Sequence, residues 1–154
     1  MGEKKQNVLQ YVLIALIAVT VLSFFIHSLM PREISAEESD GVASILSTVI
    51  PPDTPVGAFI VNNIRKIAHF CEYGLLGIEL AIYGALFVES KKRAALMSLV
   101  FAHATAFIDE SLQIISGRGP SITDVWLDLF GYVVLYLLTC AAIFAIRKLR
   151  SKEK

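Results

Sequence analysis

The chain has 154 residues, 55% of them hydrophobic, and its 14 Lys and Arg balance 14 Asp and Glu to a formal net charge of zero. A mean hydropathy of +0.63 is far too apolar for an ordinary soluble domain. The composition therefore predicts an integral membrane protein, and it predicts no nucleic-acid partner.

Four apolar windows are long enough to cross a hydrocarbon layer of about 30 Å, which needs about 20 helical residues. They are residues 8–30, 64–88, 94–115 and 124–146. These windows leave no room for a separate soluble domain. We therefore predict an all-α fold, a polytopic membrane protein that forms one domain of four transmembrane helices over residues 1–154.

The basic residues indicate the orientation of the helices. Most of them fall before the first window, between the second and third, or after the fourth, all on one side of a four-span topology: Lys4, Lys5, Lys91, Lys92, Arg93, Arg147, Lys148, Arg150, Lys152 and Lys154. Positive charge is retained in the cytoplasm. Both termini are therefore predicted to be cytoplasmic.

The connection between the first two spans, residues 31–63, is long and extracytoplasmic in this topology. Within it, apolar residues recur at helical spacing at Val42, Ile45, Leu46, Val49 and Ile50. This repeat is too short to span the bilayer and predicts an amphipathic helix on the outer interface, ended by Pro51 and Pro52. Thr54 followed by Pro55 is typical of an N-cap and a first helical turn. The second transmembrane helix should therefore begin before its apolar part.

Ionisable side chains inside the apolar windows are the main indication of function. A charge at the bilayer centre costs about 2.5–3.5 kcal/mol. Seven such side chains interrupt three of the windows: His69, Glu72, Glu79, His103, Asp109, Glu110 and Asp128. We expect them to face one another, water or a ligand rather than lipid.

The topology brings most of these groups to one depth, because the second span starts, the third ends and the fourth starts at the outer leaflet. One stripe of the second helix, roughly 80° wide, carries Arg65, His69, Glu72, Glu79 and Tyr83. A broader arc of the third, about 120° wide, carries His103, Asp109, Glu110 and Gln113. A stripe of the fourth carries Asp124, Asp128 and Gly131, and Gly131 would let another backbone approach closely. These faces predict a polar pocket at the outer leaflet, with Glu79 and His103 deeper than the rest.

Carboxylates and a histidine beside basic side chains suit a divalent cation or a phosphorylated head group. As catalytic acid–base residues we assign His69, Glu72 and Asp109. As ligand-binding residues we assign Arg65, Lys66, Gln113 and Arg118. As ligands of a divalent cation we assign Glu110, Asp124 and Asp128. The competing interpretation is a buried salt-bridge cluster that only holds the helices together.

The polar blocks resemble those of the VanZ-like family of bacterial membrane proteins. The matching blocks, between about residues 62 and 135, are Arg65-Lys66-x-x-His69-x-x-Glu72, Asp109-Glu110-x-x-Gln113, Gly117-Arg118 and Asp124-x-x-x-Asp128-x-x-Gly131. Their combination is specific, although each block alone is weak. Three positions depart from the family pattern: Ser116 replaces a frequent Pro, Leu135 replaces a frequent small residue, and Asp128 stands where Asn is also common.

The resemblance implies a protein of the bacterial cytoplasmic membrane with a role in the cell envelope. The family is named for a protein associated with resistance to the lipid-tailed glycopeptide teicoplanin, and no accepted catalytic activity carries across. The first hypothesis is a pocket that binds a lipid-linked cell-wall precursor or a phosphorylated lipid. The second is a membrane-embedded hydrolase or transferase on such a lipid, with a divalent cation as the candidate cofactor. The third is a proton or ion pathway through Glu79 and His103, which would require an oligomer because four helices are few for a transporter.

Overall fold

The computed structural model describes residues 3–152, which form five α-helices and contain no β-strand. The helices are α1 (Glu3–Ser28), α2 (Arg32–Ser47), α3 (Pro55–Phe87), α4 (Lys91–Ile115) and α5 (Ile122–Lys152). The all-α prediction is confirmed over this range. The ends of the predicted domain 1–154, including Lys154, lie outside the described residues, as do the side chains of Lys4 and Lys5.

Four of the helices, α1, α3, α4 and α5, are long and apolar enough to cross a membrane. Each overlaps one of the predicted windows. Large apolar side chains cover their outer surfaces, and Val19, Phe107 and Trp126 are each more than 60% exposed. Surfaces of this kind suit a lipid environment, because patches of exposed apolar area are rare on soluble monomers.

Helix α3 has the N-terminus that the sequence predicts. The hydroxyl oxygen of Thr54 accepts a hydrogen bond from the backbone N–H of Gly57 at 3.0 Å, and Pro55 occupies the first turn. A proline is tolerated there because its missing N–H would have no partner inside the helix. The helix therefore starts well before the apolar window at residue 64.

A kink at Asn63 divides α3, and the sequence did not predict it. Asn63 has non-helical dihedral angles (φ −124°, ψ 16°), and its side-chain amide donates to the carbonyl of Phe59 at 2.8 Å. The local bond from an Asn side chain competes with the backbone ladder of the helix. The kink lies immediately before the segment that carries Arg65 and His69.

Helix α2 is longer than the apolar repeat suggested. It starts at Arg32, because its polar first half also contains good helix formers, and it ends at Ser47, before Val49 and Ile50 of the repeat. One face packs on α3 and buries Ala43, while Ile45 is 70% exposed. Its position on the outer interface of the membrane stays a prediction.

The closest packing in the bundle is between α3 and α5. A Cβ at Gly131 would overlap the carbonyl oxygen of Phe70, and a Cβ at Gly77 would lie 2.5 Å from the carbonyl oxygen of Tyr132. The close backbone approach predicted for Gly131 is confirmed. Beside this contact, Tyr73 is fully buried and stacks on Phe24 of α1 with 4.9 Å between the ring centroids.

Candidate functional site

His69 of α3 and Asp128 of α5 form a buried pair. The imidazole Nδ1 lies 3.0 Å from Asp128 Oδ1, and the side chains are 8% and 0% exposed. Gly131, one turn further along α5, allows the helix backbone to reach Phe70, the neighbour of His69. The pair is therefore a consequence of the close packing between α3 and α5.

Asp109 of α4 brings a second carboxylate to this pair. One ligand atom from each of His69, Asp109 and Asp128 lies within 4.8 Å of the other two. The hydroxyl of Ser28, the last residue of α1, donates to Asp109 Oδ1 at 2.5 Å. Side chains from all four long helices thus meet at one point. We call His69, Asp109 and Asp128 the carboxylate–histidine cluster.

A network of hydrogen bonds runs beside the cluster. Arg65 donates from Nη2 to Gln113 Oε1 at 2.9 Å, and Gln113 donates from Nε2 to Glu110 Oε1 at 2.7 Å. The other oxygen of Glu110 accepts the backbone N–H of Ser121, also at 2.7 Å. Glu110, assigned from the sequence as a metal ligand, therefore ties the end of α4 to the start of α5 and lies outside the cluster.

Arg118 is buried because the chain reverses at Gly117. The positive φ of Gly117 (72°) ends α4 in a Schellman motif, in which the backbone N–H of Arg118 donates to the carbonyl of Gln113 at 2.9 Å and that of Gly117 to Ile114 at 3.3 Å. The guanidinium then donates from Nη1 to the carbonyl of His27 at 3.1 Å. Arg118 is 3% exposed. Burial lowers the pKa of Arg118, and the nearby Arg65 acts in the same direction.

The C-terminus of α1 is held by this same turn. The Ser116 hydroxyl donates to the carbonyl of Ser28 at 2.9 Å, next to the bond from Arg118 to His27. Carbonyls at a helix C-terminus lack partners within the helix and attract cations. Ser116, a departure from the family pattern, thus supplies a donor that a proline lacks.

Two cavities open onto the site. The larger one, about 620 Å³, lies between α2 and α3 and is lined by His27, Glu38, Ser39, Gly41, Val42, Ile45, Leu46, Ile64, Arg65, Ile67, Ala68, His69 and Glu72. The second, about 250 Å³, is lined by Asn62, Asn63, Ile64, Arg65, Lys66, His69 and Asp124. Arg65 and His69 line both. The imidazole is therefore the part of the cluster that both cavities reach.

The structure distributes the predicted site residues over the cluster, the two cavities, and the network and turn that hold Glu110, Gln113 and Arg118. The cluster combines His69 and Asp109, assigned as catalytic, with Asp128, assigned as a metal ligand. Glu72 lines the larger cavity, whereas Lys66 and Asp124 line the smaller one. Sequence reasoning did not identify Ser28, whose signal is only its place at the end of the first span.

The deeper residues, Glu79 and His103, are not brought together. Thr20 of α1 donates to Glu79 Oε1 at 2.9 Å, which places Glu79 in a contact between α1 and α3. His103 is exposed, because α4 turns its small residues Ala102 and Ala106 into the bundle. The expectation that His103 shares the inward-facing arc of the third span is wrong.

Within residues 3–152, the salt-bridge interpretation applies to one buried pair, His69 with Asp128, which joins α3 to α5. Ion pairs within 4.0 Å in that range are His69 with Asp128 and His27 with Glu38, the latter at 3.9 Å. Arg118 binds a carbonyl and Arg65 an amide. The site is thus two carboxylates and an imidazole surrounded by a hydrogen-bonded network. Such a group can orient a proton acceptor or bind a cation.

Comparison with known proteins identifies a family. The family model described as VanZ/LLP1 matches residues 11–145, which include the cluster, the network and Arg118. No curated protein and no solved structure matches the chain.

Proposed function

The chain belongs to the VanZ/LLP1 family, and from this premise we propose that it is a multi-pass protein of the bacterial cytoplasmic membrane that binds a lipid-linked or phosphorylated envelope ligand. The ligand enters the larger cavity from the outer leaflet. Through that binding the protein lowers susceptibility to lipid-tailed glycopeptides such as teicoplanin, the role that the resemblance implies.

The observation that carries the proposal is the division of the larger cavity into an apolar and a polar part. Val42, Ile45 and Leu46 of α2 supply apolar wall, whereas Arg65 and His69 of α3 supply polar groups. A pocket of about 620 Å³ lies within the size range of small-molecule sites, which combine apolar walls with a few placed polar groups. A lipid with a phosphorylated head has the same division of polarity.

Arg65 is the residue best placed to hold a head group. One of its terminal nitrogens donates to Gln113, and its Nε is buried without a hydrogen-bond partner among the described residues. A guanidinium held in this way keeps further N–H groups for a phosphate oxygen. Glu38 and Glu72 line the same cavity, so recognition depends on directed bonds rather than on a positive field.

Binding of a polyprenyl phosphate to the purified full-length protein tests the proposal, with the unphosphorylated polyprenol as the matched ligand. Native mass spectrometry or a fluorescent-lipid titration in nanodiscs should show that the wild type prefers the phosphate. Arg65→Ala should weaken binding of the phosphate at least tenfold and abolish this preference.

Two further variants test whether the lipid occupies this cavity. Ala68→Trp fills the cavity and should weaken both lipids, whereas Arg150→Ala, on an exposed residue of the last turn of α5, should change neither. Equal binding of both lipids by the wild type, or an unchanged preference in Arg65→Ala, would contradict the proposal.

A hydrolase or transferase that acts on such a lipid is the second candidate, favoured by the 3.0 Å contact between His69 and Asp128. A carboxylate that orients an imidazole is a common support for general-base catalysis. Product formation from a lipid diphosphate, followed by mass spectrometry, should then stop in His69→Gln while the lipid still binds. A proton or ion pathway is not favoured, because His103 is exposed and Glu79 bonds to Thr20.

A further inference from the structure

The carboxylate–histidine cluster has the composition and the spacing of a metal site. An ion with bonds of about 2.0–2.2 Å to nitrogen and oxygen holds its ligand atoms about 3–3.5 Å apart. His69 Nδ1 and Asp128 Oδ1 already lie 3.0 Å apart, and an atom of Asp109 completes a set within 4.8 Å. Small side-chain movements are enough to close this set around one ion.

The carboxylates of the cluster have no Arg or Lys partner among the residues that the structure describes. His69 is the basic side chain within 4.0 Å of a carboxylate there, and neither Asp109 nor Asp128 has an Arg or Lys within that distance. The two nearby guanidiniums donate to neutral oxygens instead, that of Arg65 to the Gln113 amide and that of Arg118 to the carbonyl of His27. Burying two ionised carboxylates beside one imidazole in a dry interior costs free energy, and a bound cation would lower that cost.

Asp128 supplies an independent observation. Its side chain is 0% exposed, and its Oδ2 is buried with no hydrogen-bond partner within the described part of the chain. A buried carboxylate oxygen without a donor is rare, and a bound cation would supply its missing partner. Glu110 differs, since both of its oxygens accept hydrogen bonds.

From these observations we infer that His69, Asp109 and Asp128 bind one divalent transition-metal ion, of which Zn²⁺ and Mn²⁺ are the candidates. An imidazole disfavours Mg²⁺ and Ca²⁺, which select oxygen ligands, and suits Zn²⁺ or Mn²⁺ together with carboxylates. Three protein ligands leave at least one coordination position for water or a ligand oxygen.

Ser28 acts as a positioning residue for this site. Its hydroxyl donates to Asp109 Oδ1, which fixes the carboxylate. Hydrogen bonds from such outer partners orient metal ligands, and their loss typically lowers metal affinity 10- to 100-fold. The last turn of α1 therefore belongs to the metal site as well as to the bundle.

The test is a calorimetric titration of the chelator-stripped full-length protein with Zn²⁺ alone and with Mn²⁺ alone. We expect one ion per chain for at least one of the two metals, and a thermal unfolding temperature that rises when that metal is added. Asp128→Asn and His69→Gln should each weaken binding at least tenfold, and Ser28→Ala should weaken it by a smaller factor. The assay contains no lipid substrate, so it stands or fails independently of the lipid-binding proposal.

Matched controls are Asp53→Asn in the connection between α2 and α3 and Glu89→Gln in that between α3 and α4, which each remove an exposed carboxylate outside the site, and both should keep the wild-type affinity. Asp109→Asn serves as a further ligand variant, because an amide oxygen can still accept from Ser28 and preserve the fold. The inference is overturned if the wild type binds neither metal, or if folded Asp128→Asn and Asp109→Asn bind as tightly as the wild type.

Discussion

The imidazole of His69 and the carboxylate of Asp128 join α3 to α5 across 59 positions of sequence, at 3.0 Å and in a fully buried place. In the same interface Gly131 brings α5 against the backbone of Phe70. A substitution that separates the two helices should therefore also weaken the contact between His69 and Asp128, and loss of that contact should loosen the helix packing.

Two substitutions of Asp128 distinguish the contribution of its hydrogen bond to stability from that of its charge. Asp128→Ala leaves the imidazole of His69 buried without a partner, and breaking a buried pair in this way costs about 3–5 kcal/mol. Asp128→Asn keeps an oxygen that accepts from Nδ1–H and should cost clearly less. Chemical unfolding of the purified protein in detergent, followed by circular dichroism, measures both. Equal decreases in the free energy of unfolding of the two variants would show that the hydrogen bond between His69 and Asp128 contributes little to stability.

A methyl group at position 131 should loosen the bundle. Gly131→Ala places a Cβ onto the Phe70 carbonyl, and overpacking of this kind costs about 1–3 kcal/mol. Gly41→Ala is the matched control, because nothing lies within 4 Å of the added methyl, and it should stabilise α2 by about 0.5–1 kcal/mol. The free energies of unfolding should therefore change in opposite directions, and a neutral Gly131→Ala would contradict the close approach of α3 and α5.

The local elements of this fold could be predicted from sequence because their signals lie within a few residues. The apolar windows predicted the four long helices, and Thr54 with Pro55 predicted the start of α3. Gly131 predicted a close helix contact, since a glycine in an apolar helix permits one wherever the partner lies.

The partners within the site could not be predicted in this way. Helical periodicity places residues on the face of one helix but does not fix how that helix is rotated against its neighbours. His103 was therefore expected to face inward and is exposed, whereas Asp128 was assigned apart from His69 and contacts it. Ser28 bonds to Asp109 across 81 positions, and no local pattern indicates such a contact.

The turn after α4 should depend on glycine at one position. Gly117 has φ 72°, where a residue with a Cβ costs about 1–2 kcal/mol, so Gly117→Ala should destabilise the protein by that amount. Gly117→Asn should be milder, because Asn tolerates this conformation, and Gly119→Ala should be nearly neutral because its φ is not in that region and its Cβ would meet open space. Thermal unfolding of the three variants measures the difference, and equal effects at positions 117 and 119 would contradict the Schellman motif.

Glu79 should have a structural role in the contact between α1 and α3. Thr20→Val removes the donor at 2.9 Å and leaves a buried acceptor unsatisfied, at a cost of about 1–3 kcal/mol. Glu79→Gln keeps the acceptor oxygen and should cost less, and His103→Ala on the exposed face should stay within about 0.5 kcal/mol of the wild type. Unfolding in detergent gives these values. Proton flux into liposomes that depends on both Glu79 and His103 would instead favour the ion pathway.

The positions of the cations predict the membrane orientation. Lys91 donates to the carbonyl of Val88 at 3.2 Å and Arg147 to that of Ala85 at 3.0 Å, both near the C-terminal end of α3, whereas His69 lies in its N-terminal half. Basic residues are retained in the cytoplasm, so this end should be cytoplasmic and the cluster should lie near the outer surface.

Single cysteines test that orientation in a background in which Cys71 and Cys140 are replaced by serine. Asp53→Cys, in the exposed connection between α2 and α3, should react with a membrane-impermeant maleimide in intact cells, whereas Ser151→Cys, exposed near the end of α5, should react only after permeabilisation. The two positions lie at opposite ends of the bundle, so each serves as the control for the other. The reverse labelling pattern would place His69 and its cavities at the cytoplasmic leaflet, and any ligand would then have to come from inside the cell.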